Sequence, residues 1–540
     1  MGSLPSQRQP LSGLAALKAK KQPPKMLTKM VPVASTAKPT PKLSASAPTS
    51  SRSPTMRGAS SNGISRKGSV PRKSLTPAST HSRQGSREPL ERIRHEKHSR
   101  VKRASPAIST PQFTSSDEES EEEDMPRKRM RRDEQDPVDE KRKVRDLQAF
   151  SEDGRNRRSM IHAIQIANPQ PDQHGKVKYE EFFKTLRVDE DEYPVIELQY
   201  PTALQGEKYQ LLRPIDSSDF KPLDEIEANM RMVAEYYLDV ASARKVNNEE
   251  EGSGFVQMLH RHAAHGLRGR VGAQSEYIKT IEKYNSLMKE KRDDGTIAEK
   301  LDQMNRVELK LAEHIIRGQV YARTVSPKVD SVRQYEAFSN SVYGELLPKF
   351  LSRIFKDTGL KSEHVFVDLG SGVGNCVVQA ALETGCEAWG CEYMDNPNKL
   401  AQLQATEFRA RCQLWGIKPG DVQLIHGDFL KNDMIRQVLK RADVVLVNNQ
   451  AFSAQLNDNL KYVFLDLKEG CQIISLKPFR SPSHKIKESN HNDPINVLSV
   501  VEKERWSGMV SWTDDPGKWY HQRKDRRELD AFLKTMGGSD

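Results

Sequence analysis

The stretch VFVDLGSGVGNCVVQAAL, from Val365 to Leu382, decides the fold of this chain. A short apolar run ends at Asp368, three glycines follow at alternate positions, and apolar residues then recur with helical spacing. This order predicts a buried strand, a tight turn and the start of a helix. Glycines in such a turn let the backbone approach a ligand, and the helix N-terminus presents unpaired N–H groups. The stretch therefore predicts an α/β sheet that holds a nucleotide-like cofactor.

The sequence around this stretch predicts the rest of the architecture. Strand-like runs and helical stretches alternate from residue 364 onward, which is typical of a doubly wound parallel sheet. The strand-like runs are HVFVDL, EAWGCE, VQLIHGD, DVVLVNN and CQIISL. The segment INVLSVVEKERWSGMVSWTDDPGKWYHQRK suggests added antiparallel strands. We predict a disordered basic tail over 1–155, a mostly helical subdomain over 156–325 and a catalytic domain over 326–540.

Charge and composition limit the partners of the chain. The net charge of +11 is concentrated in the tail, in clusters such as KAKKQPPK and PRKRMRR, and predicts contact with DNA phosphates. The PRKRMRR cluster also resembles a nuclear-localisation signal, so we expect a nuclear protein. The five cysteines form no CxxC pair and have no histidine cluster beside them, which argues against a bound metal. The sequence has no apolar run long enough to span a bilayer.

The glycine turn alone fits a nicotinamide dinucleotide almost as well as S-adenosylmethionine, and both folds place an acid such as Glu392 at the ribose. Three further features separate the two cofactors. Asp368 suits the amino acid end of S-adenosylmethionine, whereas it would repel a pyrophosphate. Asp428 and Phe429 follow the third strand and suit an adenine. Asn448 follows the fourth strand, where methyltransferases of this fold place polar groups beside the reacting methyl. The combination favours methyl transfer.

Seven motifs resemble one particular family. They are YEAFSNSVYGE, VDLGSGVGN, WGCEYMD, GDFL, VNNQAF, LKEGCQIISLKPF and VSWT. From Ser326 to the end, the chain resembles the non-SET histone H3 lysine-79 methyltransferases, the disruptor-of-telomeric-silencing family, with the C-terminal catalytic domain of the fungal members. The resemblance implies methylation of lysine 79 of histone H3 on the nucleosome. It also implies roles in chromatin regulation, telomeric silencing and the DNA damage response.

The resemblance also implies which residues bind the cofactor. Tyr343 and Glu345 correspond to a loop that closes over the methionine part, and Asn375 stands where many members carry glutamine. The residues implied to bind S-adenosylmethionine are Tyr343, Glu345, Asp368, Gly370, Gly372, Asn375, Glu392, Asp428, Phe429 and Asn448.

A narrow, mostly apolar channel for the target lysine is a further implication of the resemblance. Its candidate wall residues are Phe338, Leu446, Phe452, Trp512 and Trp519. The candidate catalytic residues are Asn448, Tyr343, Phe452, Trp512 and Trp519. No histidine or carboxylate in the motifs is an obvious general base, so an apolar channel would favour the neutral lysine by desolvation. We expect a monomer whose partners are the nucleosome and its DNA.

Two other functions remain open at the level of sequence. A methyltransferase of the same fold could act on RNA or on another protein. A chromatin-binding module could carry a vestigial cofactor site, although the presence of Asp368, Glu392, Asp428 and Asn448 argues against it. A dehydrogenase is the weakest alternative, because of the charge at Asp368.

Overall fold

The computed structural model describes residues 139–150, 157–171, 175–183, 194–332 and 344–537. All of them fall in one compact unit, Arg100–Asp540. Most of the predicted tail, together with Phe338 and Tyr343, lies outside the described residues. The predicted limits of the three domains therefore stay predictions.

The described chain up to residue 332 is mostly helical and carries two small antiparallel sheets, β1 with β4 and β2 with β3. Its elements are a 3-10 turn Leu147–Phe150, α1 Ala163–Ile166, β1 Tyr179–Glu181, β2 Val195–Leu198, β3 Glu207–Gln210, β4 Leu212–Pro214, α2 Pro222–Tyr237, α3 Val240–Val246, α4 Phe255–Leu267, α5 Ala273–Asp293, α6 Thr296–Asp302, α7 Leu309–Glu313, a π-helix His314–Tyr321, α8 Ala322–Thr324, a 3-10 turn Ser326–Lys328 and α9 Val329–Val332. Helix α2 illustrates why these segments fold. It begins with a proline, whose missing N–H costs nothing there, and its apolar residues recur on one buried face.

The second half is a seven-stranded sheet with helices around it. Its elements are α10 Pro348–Thr358, β5 Val365–Leu369, α11 Asn375–Thr384, β6 Glu387–Glu392, α12 Asp395–Leu414, β7 Val422–His426, α13 Asp433–Leu439, β8 Val444–Val447, α14 Ala454–Val463, β9 Gln472–Ser475, β10 Leu498–Arg505, β11 Gly517–Lys524 and α15 Arg527–Gly537, with 3-10 turns at Phe464–Asp466, Glu488–Asn490 and Pro494–Val497. The strand order is β10-β11-β9-β8-β5-β6-β7. Strands β5 to β9 pair in parallel, and β10 and β11 are antiparallel additions. The predicted doubly wound α/β methyltransferase fold is confirmed.

Strand β5 lies at the centre of the sheet, and all five of its residues are buried. Phe366 packs against Phe355 of α10 on one face, with ring centroids 5.8 Å apart. Val365, Val367 and Leu369 belong to a separate apolar cluster on the other face. Such continuous apolar runs are typical of parallel strands covered by helices on both sides. The chain runs from β5 outward to β6 and β7, then returns to place β8 on the other side of β5. The site is expected at this switch point.

A buried ion network joins the two halves of the described chain. Glu207 of β3 accepts hydrogen bonds from Arg323 of α8 at 2.7 Å and from Arg411 of α12 at 2.9 Å. Arg323 also binds Glu225 of α2 at 2.6 Å, and Arg411 binds Glu407 at 2.7 Å. The side chains of Glu207, Arg323 and Arg411 are fully buried. Buried charges persist only when they are paired in this way, so the network fixes α12 against the helical half.

The five cysteines are all free, and four of them are buried. Within the part of the chain that the structure describes, no three His, Cys, Asp or Glu side chains are grouped so that they could hold a metal. None of the described helices combines the length and the apolar character needed to cross a membrane.

Candidate active site

The candidate active site lies where the parallel strands end. Asp368 is the penultimate residue of β5, Glu392 ends β6, Asp428 follows β7 and Asn448 follows β8. The carboxyl ends of parallel strands meet at one edge of a sheet. Four polar side chains that are far apart in the sequence are therefore brought to one edge by the strand order.

The glycine turn after β5 has a backbone that only glycine adopts easily. Gly370, Gly372 and Gly374 have φ angles of +90°, +55° and +88°. The N–H groups of Gly370 and Ser371 donate to the carbonyl oxygen of Cys391, at 2.9 and 3.1 Å, which fixes the turn to β6. Gly374 then begins α11. The turn thus leaves a backbone cradle open above the sheet.

Two carboxylates lie beside this cradle. Asp368 is only 2% exposed and accepts a hydrogen bond from the Cys376 thiol. Burial raises the pKa of Asp368 to about 7; the thiol hydrogen bond opposes the shift, and the charge of Glu392 adds to it. Glu392 accepts hydrogen bonds from the N–H groups of Gly372 at 2.8 Å and Met394 at 2.7 Å. Burial also raises the pKa of Glu392, against these backbone hydrogen bonds. The pair forms an acidic pocket that suits a ligand with a positive charge and hydroxyl groups.

Two aromatic rings cover the other side of the turn. Phe429 stacks on Phe452, with ring centroids 6.2 Å apart and an angle of 26° between their planes. A Cβ on Gly370 would lie 3.4 Å from the Phe452 ring. Asp428, directly before Phe429, accepts the Leu430 N–H at 2.9 Å. A hydrogen-bond acceptor beside flat apolar rings is the environment that suits an adenine.

Asn448, directly after β8, forms a hydrogen bond with the segment that precedes α10. Its Nδ2 donates to the carbonyl oxygen of Gly344 at 3.0 Å. Its Oδ1 is buried and has no hydrogen-bond partner among the described residues. Trp512 packs directly over Gly344, where even a Cβ would come within 2.6 Å of the indole. A buried acceptor without a partner is costly unless a ligand satisfies it.

The carboxylate of Glu345 is held at both oxygens. Arg317 Nη1 lies 2.7 Å from Oε2, and the Tyr321 hydroxyl donates to Oε1 at 3.0 Å. The backbone of Glu345 exchanges two hydrogen bonds with Ser511, at 2.9 and 3.0 Å. Three distant parts of the chain therefore meet at Glu345.

Comparisons with known proteins agree with this geometry. The family model described as "Histone methylation protein DOT1" matches residues 321–523. Proteins of Emericella nidulans and Aspergillus fumigatus are each 47% identical, over 76% of this chain and 78% of their own lengths. A protein of Gibberella zeae is 40% identical over 81% of this chain and 87% of its own. All three are named histone-lysine N-methyltransferase, H3 lysine-79 specific. This chain belongs to the DOT1 family.

Two of the solved structures similar to this chain are methyltransferases in complex with S-adenosyl-L-homocysteine. An RNA methyltransferase from Salinibacter ruber covers 34% of this chain and 95% of its own, at 18% identity and a TM-score of 0.23. An O-methyltransferase from Bacillus cereus covers 37% and 88%, at 14% identity and a TM-score of 0.25.

The structure pairs one predicted site residue with a neighbouring helix and buries another in the core. The Asn375 Oδ1 accepts from Gln404 of α12 at 2.9 Å, so this side chain is directed at the neighbouring helix. Its Nδ2 is buried without a partner among the described residues. Trp519 is 1% exposed, packs on Phe350 with centroids 5.7 Å apart, and donates to a backbone carbonyl of β10. It lies in the core of this DOT1 family member.

Of the remaining predicted site residues, some lie among the described residues and some do not. Leu446 is buried in the same core cluster as Trp519, and Trp512 packs against the edge of that cluster. Tyr343 and Phe338 lie outside the described residues. Sequence reasoning missed Arg317, Tyr321 and Cys376. Of these only Cys376 carried a local signal, because it stands two residues after Gly374 in the first turn of α11.

Proposed function

We propose that this chain transfers a methyl group from S-adenosylmethionine to the side chain of lysine 79 of histone H3 in the nucleosome. The observation that carries the proposal is the meeting of Asp368, Glu392, Asp428 and Asn448 at one sheet edge. Membership of the DOT1 family supplies the methyl acceptor. When bound, S-adenosylmethionine supplies an electrophilic methyl group on a sulfonium centre.

The acidic pocket fits the cofactor for a stated physical reason. Asp368 is a buried carboxyl without a cationic partner among the described residues, and its raised pKa reflects that cost. An ammonium group beside it would remove the cost. Each oxygen of Glu392 accepts a hydrogen bond from a backbone N–H, and lone pairs remain that can accept hydrogen bonds from ribose hydroxyls. Phe429 would cover the adenine.

The target lysine must lose its proton before it attacks. Its ordinary pKa of ~10.4 keeps it charged at neutral pH. We infer that the indole of Trp512 and the ring of Phe452 give it an apolar approach, because desolvation lowers the pKa of an amine. The unpartnered Oδ1 of Asn448 can accept one N–H of the amine and orient it toward the methyl group.

Methylation of nucleosomes tests the proposal. Full-length protein, labelled S-adenosylmethionine and nucleosomes should give label on histone H3, which mass spectrometry should map to lysine 79. Asp368→Asn should reduce the rate by about 10- to 100-fold, since a charge-assisted contact to the cofactor amine is lost. Asp433→Asn, on an exposed carboxylate at the start of α13, is the matched control and should keep the rate of the wild type.

Two results of this assay would contradict the proposed function. One is label on RNA or on free histone alone with none on nucleosomes. The other is an Asp368→Asn variant as active as Asp433→Asn.

We propose further that the basic tail binds nucleosomal DNA in the nucleus and that the protein acts as a monomer. The clusters KAKKQPPK (Lys18–Lys25) and PRKRMRR (Pro126–Arg132) carry the positive charge that phosphates require. Deleting residues 1–138 should weaken nucleosome binding and flatten its dependence on salt, with no effect on S-adenosylhomocysteine affinity. An unchanged salt dependence would refute the DNA contact, and light scattering tests the monomer.

A further inference from the structure

The π-helix His314–Tyr321 reaches the candidate active site from the helical half of the chain. Arg317 and Tyr321 are four residues apart on it, and both bind the carboxylate of Glu345, one at each oxygen. The Arg317 guanidinium also lies over the Tyr321 ring, 4.7 Å from its centroid. The side chains of Arg317 and Glu345 are only 13% and 10% exposed. This ion pair is therefore shielded from the solvent that weakens surface pairs.

The π-helix itself is held rigidly. His314 Nε2 lies 2.7 Å from Asn229 Oδ1 of α2. Gln319 donates to the Tyr200 hydroxyl at 2.9 Å and accepts from the Trp415 indole N–H at 2.8 Å. All five side chains in these contacts are buried. A charged group presented from such an element can fix its partner to within a small distance.

The sheet half holds the backbone of the segment that carries Glu345. Ser511 holds the backbone of Glu345, and Asn448 holds the carbonyl oxygen of Gly344. Arg317 and Tyr321 of the π-helix each bind one oxygen of the Glu345 carboxylate. Asn448, which binds the neighbouring Gly344, lies at the same sheet edge as Asp368 and Glu392, so Glu345 lies near the acidic pocket. Its charge also helps to raise the pKa of the Cys376 thiol, which donates to Asp368. The orientation of its carboxylate thus depends on the helical half.

We infer that Arg317 is a positioning residue, which holds the Glu345 carboxylate toward the methionine end of the cofactor site, with Tyr321 as its support. The inference rests on the proposed function, in which Glu345 contacts the cofactor. Arg317 also neutralises the charge of Glu345 in a site that already contains Asp368 and Glu392. A cationic ligand therefore meets the two charges of Asp368 and Glu392, and Glu345 serves as a fixed hydrogen-bond acceptor. Arg317 precedes residue 321, where the family match begins. The helical half is therefore part of the active site.

Variants of the full-length protein test this role through the affinity for S-adenosylhomocysteine, measured by calorimetry. Arg317→Gln should weaken binding about 10- to 100-fold and raise KM for S-adenosylmethionine similarly, because a displaced side chain loses its contact. The kcat on nucleosomes should change far less. Arg317→Lys should restore most of the affinity, and Tyr321→Phe should lose a smaller part of it. Lys310→Gln, which breaks an exposed pair with Glu235 nearby, is the matched control and should bind normally.

Coupling distinguishes positioning from a general loss of stability. The double variant Arg317→Gln with Glu345→Gln should bind no more weakly than Glu345→Gln alone, because both changes remove one interaction. Thermal unfolding identifies a temperature at which every variant is folded, and binding is compared there. If Arg317→Gln does not fold, Arg317→Lys and Tyr321→Phe decide by the same comparison with Glu345→Gln.

Two outcomes would overturn the inference, and they are distinguishable. Normal binding by the folded Arg317 and Tyr321 variants, with weak binding by Glu345→Gln, would refute the positioning role and leave the proposed function intact. Normal binding by Glu345→Gln and by Asp368→Asn would refute the proposed cofactor site, and the inference with it.

Discussion

At the residue scale, Asp368 is the most unusual group of the site. It is buried beside a second acid, and burial raises its pKa to about 7, near neutrality. Its charged form is the one that suits a cofactor ammonium. A proton and the cofactor therefore compete for the same carboxylate.

This competition predicts a pH-dependent affinity. Between pH 8 and pH 6 the dissociation constant for S-adenosylhomocysteine should rise roughly tenfold, because Asp368 becomes protonated and binding requires its charge. Calorimetry at the two pH values measures the effect. Asp368→Asn should bind weakly with little pH dependence. Equal affinity of the wild type at pH 6 and pH 8 would show that Asp368 does not bind the amine.

The same group has the opposite effect on stability without cofactor. Because folding raises the pKa of Asp368 from 3.8 to about 7, its neutral form stabilises the folded state at low pH. That stability is lost as the pH rises through 7. Asp368→Asn should therefore raise the free energy of unfolding at pH 8, by up to about 4 kcal/mol, and much less at pH 5.

At the element scale, the glycine turn and α11 form one unit. Gly374 has a φ of +88° at the start of α11, and a Cβ added to it would lie 2.9 Å from the Leu424 side chain of β7. Gly359, after α10, has a φ of +61° and open space around it. The two glycines therefore share a left-handed backbone and differ in their surroundings.

Alanine at each position separates these two contributions. Gly359→Ala should cost about 1 kcal/mol, the usual penalty for a left-handed residue with a Cβ. Gly374→Ala should cost about 2–3 kcal/mol, since the added Cβ would also lie 2.9 Å from Leu424. Urea unfolding gives both values. Equal costs would mean that Leu424 moves aside freely.

At the scale of the whole molecule, the network around Glu207 joins the helical half to the sheet. Burial opposes the charge of Glu207, but Arg323 and Arg411 outweigh this and hold its pKa well below the usual range. The network is therefore charged at every pH near neutrality. Its stabilising effect is present above the unfolded pKa of a glutamate and is lost only in strong acid.

Removing this charge should destabilise both halves together. Glu207→Gln should cost about 3 kcal/mol or more, because it leaves two buried arginines short of a counter-ion. Glu235→Gln, in the exposed pair with Lys310, should cost less than about 1 kcal/mol. Urea unfolding followed by fluorescence and circular dichroism measures both. A loss for Glu207→Gln no larger than for Glu235→Gln would contradict the structural role of the network.

The sheet and the polar residues at its edge could be predicted from the sequence, because both follow from short-range patterns. Apolar runs of strand length, each followed by a polar residue, were enough to predict that Asp368, Glu392 and Asn448 would meet. The positions of the Trp512 and Trp519 indoles could not be predicted in this way, because they depend on packing across the sheet. Trp512 reaches Gly344, whereas Trp519, seven residues later, lies behind Phe350, and no local spacing separates these two fates.

Arg317 shows the same limit more clearly. It stands 28 residues before Glu345, on a charged helical stretch whose orientation is set by buried partners from α2 and from the residue after α12. Such a contact depends on tertiary packing alone. Asn375 is similar, since its hydrogen bond with Gln404 joins two helices that pack on the sheet.

Four of the five cysteines are buried, and this gives the protein a property useful at the bench. Burial raises the pKa of all five cysteine side chains: Cys376, Cys386, Cys391, Cys412 and Cys471. Only the thiolate reacts quickly with alkylating reagents, so the native protein should resist iodoacetamide and need little reducing agent during purification. Each molecule that unfolds exposes its thiols to alkylation. Alkylation over time therefore provides a clock for global unfolding that needs no engineered label.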